Sequence, residues 1–365
     1  MLDSIYERLS KIQDKRDARG KRYKLCSILS LILLGYMQGC KSLAGVYRFG
    51  KTLNKSEKKK LGFTQSTPSH PTITETLKLV DSAELSKALE DIILQDDNIR
   101  HLAIDGKSIR STHSNKNGML HLVSLYSVDT CGVLGQIKSA LAGGEIVSAK
   151  TLIKEKDISG KVITGDAMFA QRELCDMILQ EKGDYVFKVK RNRKHLYDSI
   201  YQEFEYYKSH SKPIECFETG AEKGHGRIEQ RKIEVINIGS AFFANMKINR
   251  IGRITKYVYN LKTCKESEDV TYIISSIKKD DATPQKLLEY TRKHWMIENK
   301  LHRTRDYSFA EDVCNIASLK SQFNNATVKN IAIFLLNKIN NSITYACEAV
   351  ADNLKIAFKL FFATI

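Results

Sequence analysis

None of the eight cysteines forms a Cys-x-x-Cys pair with another. Scattered from Cys26 to Cys347, they fit neither a zinc ribbon nor a disulfide scaffold, and reduced thiols in a cytosolic protein are the simplest reading. The nine histidines do not fall at metal-ligand spacings. The chain has no Walker loop, no His-Glu-x-x-His and no Gly-x-Ser-x-Gly, which removes three common routes to hydrolysis. It has no run long enough to cross a bilayer: the apolar stretch Leu25 to Met37 is too short. That stretch also begins behind a long charged leader, unlike a signal peptide, and is expected to be a buried helix. Internal repeats, low-complexity tracts and coiled-coil heptads are absent.

What is present in excess is positive charge. A chain of 365 residues with a formal net charge of +16 attracts polyanions, either nucleic acid or an anionic membrane surface. The competing reading is a basic but unspecialised surface. Hydrophobic residues at 42% and charged residues at 27% are ordinary for a globular protein, so the length allows one large domain or two smaller ones.

Four zones follow one another. Residues 1–97 read as helical, with a mostly basic stretch from Lys15 to Lys24, a Lys-rich connection over 51–62 and a break at Pro68 and Pro71. Residues 72–94 resume helical periodicity. From 98 the pattern turns mixed α/β. Leu102 to Ile104 is a short strand, Leu120 to Asp129 and Val133 to Leu141 flank a Cys131-Gly132 turn, and Lys161 to Gly165 and Tyr185 to Val189 are strands separated by a helix. Residues 194–275 read as a β-rich insertion. Thr283 and Pro284 then start a helix expected to run to about Arg305, followed by helices over 317–340 and 343–361.

Three carboxylates stand out against this layout. Asp105 closes the strand Ala103-Ile104, with Gly106 allowing close approach and Lys107 and Arg110 suited to phosphate. Asp166 repeats the arrangement after Val162 to Gly165. Taken singly, each reads better as an aspartate that turns the chain after a strand. Together, two strand-terminal aspartates can converge on a divalent cation, and hard oxygen ligands suit Mg²⁺ or Mn²⁺. Glu298 lies in the later helix, four residues after His294 and seven before Arg305, over an apolar stripe of Leu287, Tyr290, Ile297 and Leu301. On spacing alone it reads better as a solvated glutamate. Three such groups suit two-metal phosphoryl transfer, which needs ligands and positioning and no nucleophilic side chain.

In order along the chain, several segments resemble the DDE transposases of the ISAs type, the H-repeat-associated proteins of the wider IS-four-like superfamily. Ile104-Asp105-Gly106-Lys107-Ser108-Ile109-Arg110 is similar to the first signature. Gly165-Asp166-Ala167-Met168-Phe169-Ala170-Gln171 is similar to the second. Tyr185 to Asn192, His225 to Glu229 and Tyr272 to Ser276 follow family segments. His294-Trp295-Met296-Ile297-Glu298-Asn299-Lys300-Leu301-His302 resembles the third signature, with Phe309 to Asp312 after it. The resemblance covers nearly the whole chain, because residues 25–95 look like the family's helical N-terminal region.

The resemblance implies an RNase H-like catalytic domain over 98–365, interrupted by the β-rich insertion and followed by C-terminal helices. It implies Asp105, Asp166 and Glu298 as ligands of two Mg²⁺ (or Mn²⁺) ions, and strand cleavage at transposon ends followed by joining to target DNA. It also implies DNA or phosphate contacts from Lys107, Arg110, Lys188, Lys190, Asn192, His294 and Arg305. The expected partners are double-stranded DNA, at terminal inverted repeats and targets, and further copies of the chain in a homodimer or higher oligomer. No membrane and no nucleotide cofactor is expected, and the location implied is the bacterial cytosol and nucleoid. Residues 1–97 are read either as recognising the element's ends or as supporting the core. This sequence departs from the family pattern at Arg303 and Arg305, where Trp and Leu are usual, and at Arg191 and Arg193, where Gly and Gln flank the Asn192 position. A decayed copy that only binds DNA, and a host nuclease on the same fold, are the alternative readings.

Overall fold

The computed structural model describes residues 4–93, 98–112, 118–139, 144–314, 316 and 318–362. The chain divides into two compact units, neither of them a single consecutive segment. One comprises Met1–Ile99, Gly106–Ser148 and Met296–Ile365; the other comprises Arg100–Asp105 and Ala149–Trp295. The architecture is mixed α/β, with a large sheet and flanking helices.

The second unit is organised by the sheet. Strand β1 (His101–Ile109) enters it with its first residues, and β4 (Val162–Gly165) and β5 (Asp184–Val189) continue it. The insertion adds β6 (Glu215–Glu218), β7 (Glu222–Gly224), β8 (Arg227–Asn237), β9 (Arg250–Asn260) and β10 (Lys265–Ser275). The order is β1-β4-β5-β10-β9-β8-β6, with β7 on β8. The first three strands are parallel, and from β10 outward the pairing is antiparallel. Parallel neighbours need a crossover, supplied between β4 and β5 by helix Arg172–Gln180. A parallel strand covered on both faces is apolar throughout, and all four residues of β4 are buried.

The core of this unit joins Val186, Ile233, Val235, Ile254 and Ile273 of the sheet to Leu287 and Leu288. Those two leucines belong to helix Pro284–Lys293, whose cap Thr283 accepts a hydrogen bond from the Lys286 amide. Removing either leucine side chain costs about 2–5 kcal/mol through lost transfer energy and the cavity left behind.

The first unit is mainly helical. Every residue of helix Leu25–Met37 is buried, as its unbroken apolar character predicts. It contacts the long helix Leu319–Ile339, itself buried over most of its length. Strands β2 (Leu120–Ser127) and β3 (Gly132–Ser139) form an antiparallel hairpin with a register shift at Leu125 and Tyr126. The turn between them places Cys131 at φ 58°, the left-handed conformation expected of a tight reversal.

The structure departs from sequence expectation in several places. β1 does not stop at Ile104 but runs on to Ile109. The Lys-rich 51–62 segment contains helix Lys55–Lys60, started by a capping box between Asn54 and Glu57. The helix expected from 284 to about 305 is interrupted: the α-helix stops at Lys293, His294 and Trp295 form a turn, and Ile297–His302 is π-helical. The helix expected over 343–361 breaks at Asn353 into Ile343–Asp352 and Lys355–Phe362. Leu94, Ala140 and Leu141, at the expected ends of a helix and a strand, lie outside the described residues.

Candidate metal and DNA-contact residues

In the second unit, the last register pair of β1 and β4 is Ile104 with Gly165. Asp105 and Asp166 are therefore the next residues along two adjacent parallel strands, which lie about 4.8 Å apart. The two residues therefore stand side by side, Asp105 within β1 and Asp166 just past the end of β4. Gly165 sets how closely this region packs: a Cβ on it would stand 3.0 Å from Phe169 and Phe187 and 3.1 Å from Ile104. The chain beyond Asp166 turns at once, with the Phe169 amide donating to the Asp166 carbonyl oxygen at 2.9 Å.

The Asp166 side chain is 43% exposed, so at least one oxygen is open to a ligand. Its Oδ1 accepts from Lys188 Nζ at 3.4 Å, and His294 Nε2 lies 3.8 Å away. Lys188 comes from β5 and its ammonium stands 5.0 Å from the Trp295 ring centroid. Burial pushes the Lys188 ammonium below the ordinary lysine range, against the opposing pull of Asp166. His294 is almost wholly buried, and its Nδ1 is 3.2 Å from Thr164 Oγ1. Thr164 Oγ1 is in turn 2.8 Å from His101 Nε2. A buried line of polar groups, His101, Thr164 and His294, thus reaches Asp166 from behind. Burial, and next the neighbouring His294, bring His101 down to about 3, so it is neutral.

In the first unit, Glu298 sits in the π-helical segment with half its side chain exposed. Its Oε2 is 3.1 Å from Nδ1 of the buried His302. π-Helical turns are rare and frequently occur at functional sites.

The expected DNA contacts divide by exposure. Arg110 has 83% of its side chain in solvent, its backbone N–H donating to Asp312 Oδ1 at 3.0 Å. Lys190 and Asn192 are exposed, Asn192 within the 3-10 turn Arg191–Arg193. Lys107 is buried, with Nζ 2.6 Å from Asp306. Arg305 has no exposed surface. Its Nε donates to Glu311 at 2.7 Å and its Nη1 to Gln136 at 3.2 Å. A cation placed this way neutralises a buried carboxylate and does not present itself to a phosphate.

Comparison with known proteins decides the family. A model described as "Transposase DDE domain" matches residues 96–335, and one described as "DDE_Tnp_1-associated" matches residues 6–93. This chain belongs to the DDE transposase family. Relatives of the transposase are found in Escherichia coli K12. YbfL and the H repeat-associated YhhI are each 29% identical over 92% of this chain and 90% of their own length. The H repeat-associated YbfD is 31% identical over 63% of this chain and 92% of its own. As a family, DDE transposases are DNA-cleaving enzymes of mobile elements that use divalent metal. The region matched by the DDE-domain model contains Asp105, Asp166 and Glu298. No helix among the described residues of this transposase is long and apolar enough to cross a membrane.

Three participants escaped sequence reading. Thr164 looked like an ordinary strand residue, and His101 lay just before the strand Leu102 to Ile104. His302 closed the segment resembling the third signature, with no role of its own assigned to it.

Proposed function

We propose that this chain is an insertion-sequence transposase that cleaves DNA at the ends of its element and joins the freed strand to target DNA. Asp105, Asp166 and Glu298 hold two Mg²⁺ or Mn²⁺ ions in an RNase H-like catalytic domain over 98–365. The observation that carries the reading is the register pair Ile104–Gly165, which sends Asp105 and Asp166 out from neighbouring parallel strands. The donor set fits the metal: hard carboxylate oxygens, with Asp166 partly exposed beside Lys188 and His294.

When bound, divalent cations neutralise the scissile phosphate and acidify the attacking water. The protein's own residues do the rest. In cleavage, water adds to phosphorus and the bond to the 3′ oxygen breaks, releasing a 3′-hydroxyl and a 5′-phosphate. In joining, that hydroxyl adds to a target phosphorus and displaces another 3′ oxygen. Asp105, Asp166 and Glu298 fix where these oxygens meet, and His294, held by Thr164, orients Asp166. Arg110, Lys190 and Asn192, all exposed, contact the DNA backbone. Lys107 and Arg305 serve packing, which accommodates the unusual Arg305 through Glu311. The partners are duplex DNA and further copies of the chain, with residues 1–97 engaging the element's ends.

The test is incubation of the full chain with duplex DNA carrying the element's terminal repeats, with Mg²⁺ or Mn²⁺. Cleavage and strand transfer by the wild type, both lost in Asp105→Asn, support the proposal. Cleavage without transfer makes the protein a nuclease, and specific binding without cutting makes it a DNA-binding relative.

A further inference from the structure

The first unit contains a cavity of about 800 Å³ that the proposed chemistry does not use. It is walled by the basic segment around Arg19, by helix Leu43–Thr52, and by helix His70–Leu79 with the loop before it. Four cations line it without a carboxylate partner among the described residues: Arg19, Arg22, Lys51 and Lys58. Two carboxylates also line it, and both are engaged. Asp17 caps a 3-10 turn by accepting from the Arg19 amide at 2.9 Å, and Glu75 pairs with Lys78 at 3.3 Å.

A buried, already paired cation helps to hold the wall in shape. Arg16, only 7% exposed, lies in the cavity wall. Its Nε and Nη2 bind Asp14 at 2.9 and 2.8 Å, and Nη2 also donates to the Tyr23 carbonyl oxygen at 2.7 Å. Its Nη1, itself shielded from solvent, has no hydrogen-bond partner among the described residues.

Two aromatic rings accompany the charge. Lys51 Nζ is 4.5 Å from the Tyr47 ring centroid, and Arg22 Cζ is 5.5 Å from that of Tyr23. Tyr23 is fixed by its hydroxyl, 2.8 Å from Ser66 Oγ. Cations beside aromatic faces in a concave site are what an unpaired nucleic-acid strand requires: phosphates meet the cations and sugars or bases lie on the rings. A duplex keeps its bases stacked and cannot bring them into a cavity of ordinary small-ligand size.

We propose that this cavity binds one or two nucleotides of an unpaired DNA strand. The inference rests on the reading that the chain handles cut DNA ends, and it gives residues 16–79 a specific part in that work.

Fluorescence anisotropy tests it on the full chain, with a fluorescein-labelled oligothymidylate of about 12 nucleotides, within the span of one single-strand site. A hairpin duplex of the same labelled length is the comparison. Lys51→Glu and the double variant Arg19→Glu/Arg22→Glu change exposed side chains, and unchanged thermal melting establishes that they fold. The proposal expects the double variant to lose about tenfold or more in oligothymidylate affinity, with duplex binding changed less than about twofold. Tyr47→Ala is expected to weaken the oligothymidylate in the same direction, and Asp166→Asn to leave it unchanged. Wild-type affinity in the double variant, equal loss for strand and duplex, or full competition by inorganic phosphate at matched charge overturns the proposal. The two readings separate cleanly. If the wild type never cuts but the variants lose the oligothymidylate, the cavity stands and the chemistry falls. If the wild type cuts and the variants bind normally, the reverse holds.

Discussion

Two carboxylates of this chain, Asp166 and Glu311, each sit beside basic groups, yet the structure treats them in opposite ways. Glu311 has no exposed surface and is paired with Arg305 and Lys329, both equally buried. Burial alone would raise its carboxyl, but Arg305 and Lys329 outweigh that and hold it below the usual range. Asp166 stands 43% exposed, with a lysine at 3.4 Å and a histidine at 3.8 Å. The same residue types make a structural staple where water is excluded and a candidate ligand where one oxygen stays open. Exposure separates the two roles, and charge composition does not.

The largest effect that would break this contrast is on chemistry. Asp166→Asn keeps the shape and removes the charge; cleavage of repeat-bearing DNA is expected to fall about a thousandfold or more, with thermal stability nearly unchanged. Glu311→Ala should do the opposite. Leaving Arg305 and Lys329 buried without their carboxylate is expected to cost about 3–5 kcal/mol in urea unfolding. Because the folded Glu311 titrates below its unfolded value of about 4.3, its contribution is present above that pH and is lost as acid carries pH through the folded value. Glu311→Gln should flatten that part of the acid unfolding curve; an unchanged curve would show that the staple is not what acid breaks.

The polar line behind Asp166 is a smaller lever. Thr164→Val cuts the link between His101 and His294, and cleavage is expected to drop about 10–100-fold while DNA binding holds. His101 is buried neutral at about 3. It therefore favours folding above its unfolded value of about 6.5, and that support fades as pH falls toward about 3. His101→Asn should remove this fraction of the acid sensitivity in a pH series of denaturant titrations. The smallest effect is at Lys190: Lys190→Ala is expected to weaken all DNA sequences alike and to lower the slope of log affinity against log salt by about one.

Much of the fold was legible because apolar periodicity reports burial directly. Leu25–Met37 and the short strands β4 and β5 follow from their own residues. What was hidden depends on distant partners. β9 begins at Arg250, and Gly252 and Arg253 mask the alternation that would announce it. The π-helical turn at Glu298 has no local signature, so regular spacing placed His294 and Glu298 on one α-helical face that the chain does not form. Asp105 and Asp166 were visible from the short apolar runs before them and from their flanking signatures, and Glu298 from its signature alone. Their supports, Thr164 and His101, were not, since a threonine in a buried strand is usually packing. Arg305 looked like a phosphate contact because nothing nearby in sequence announced Gln136, supplied by the hairpin.

The most direct test of the account is calorimetric titration of the full chain with Mn²⁺. Saturable binding that is lost in Asp105→Asn and in Asp166→Asn, yet kept in Glu311→Gln, is the predicted result. Binding that survives both aspartate substitutions, or that disappears only with Glu311, would contradict it.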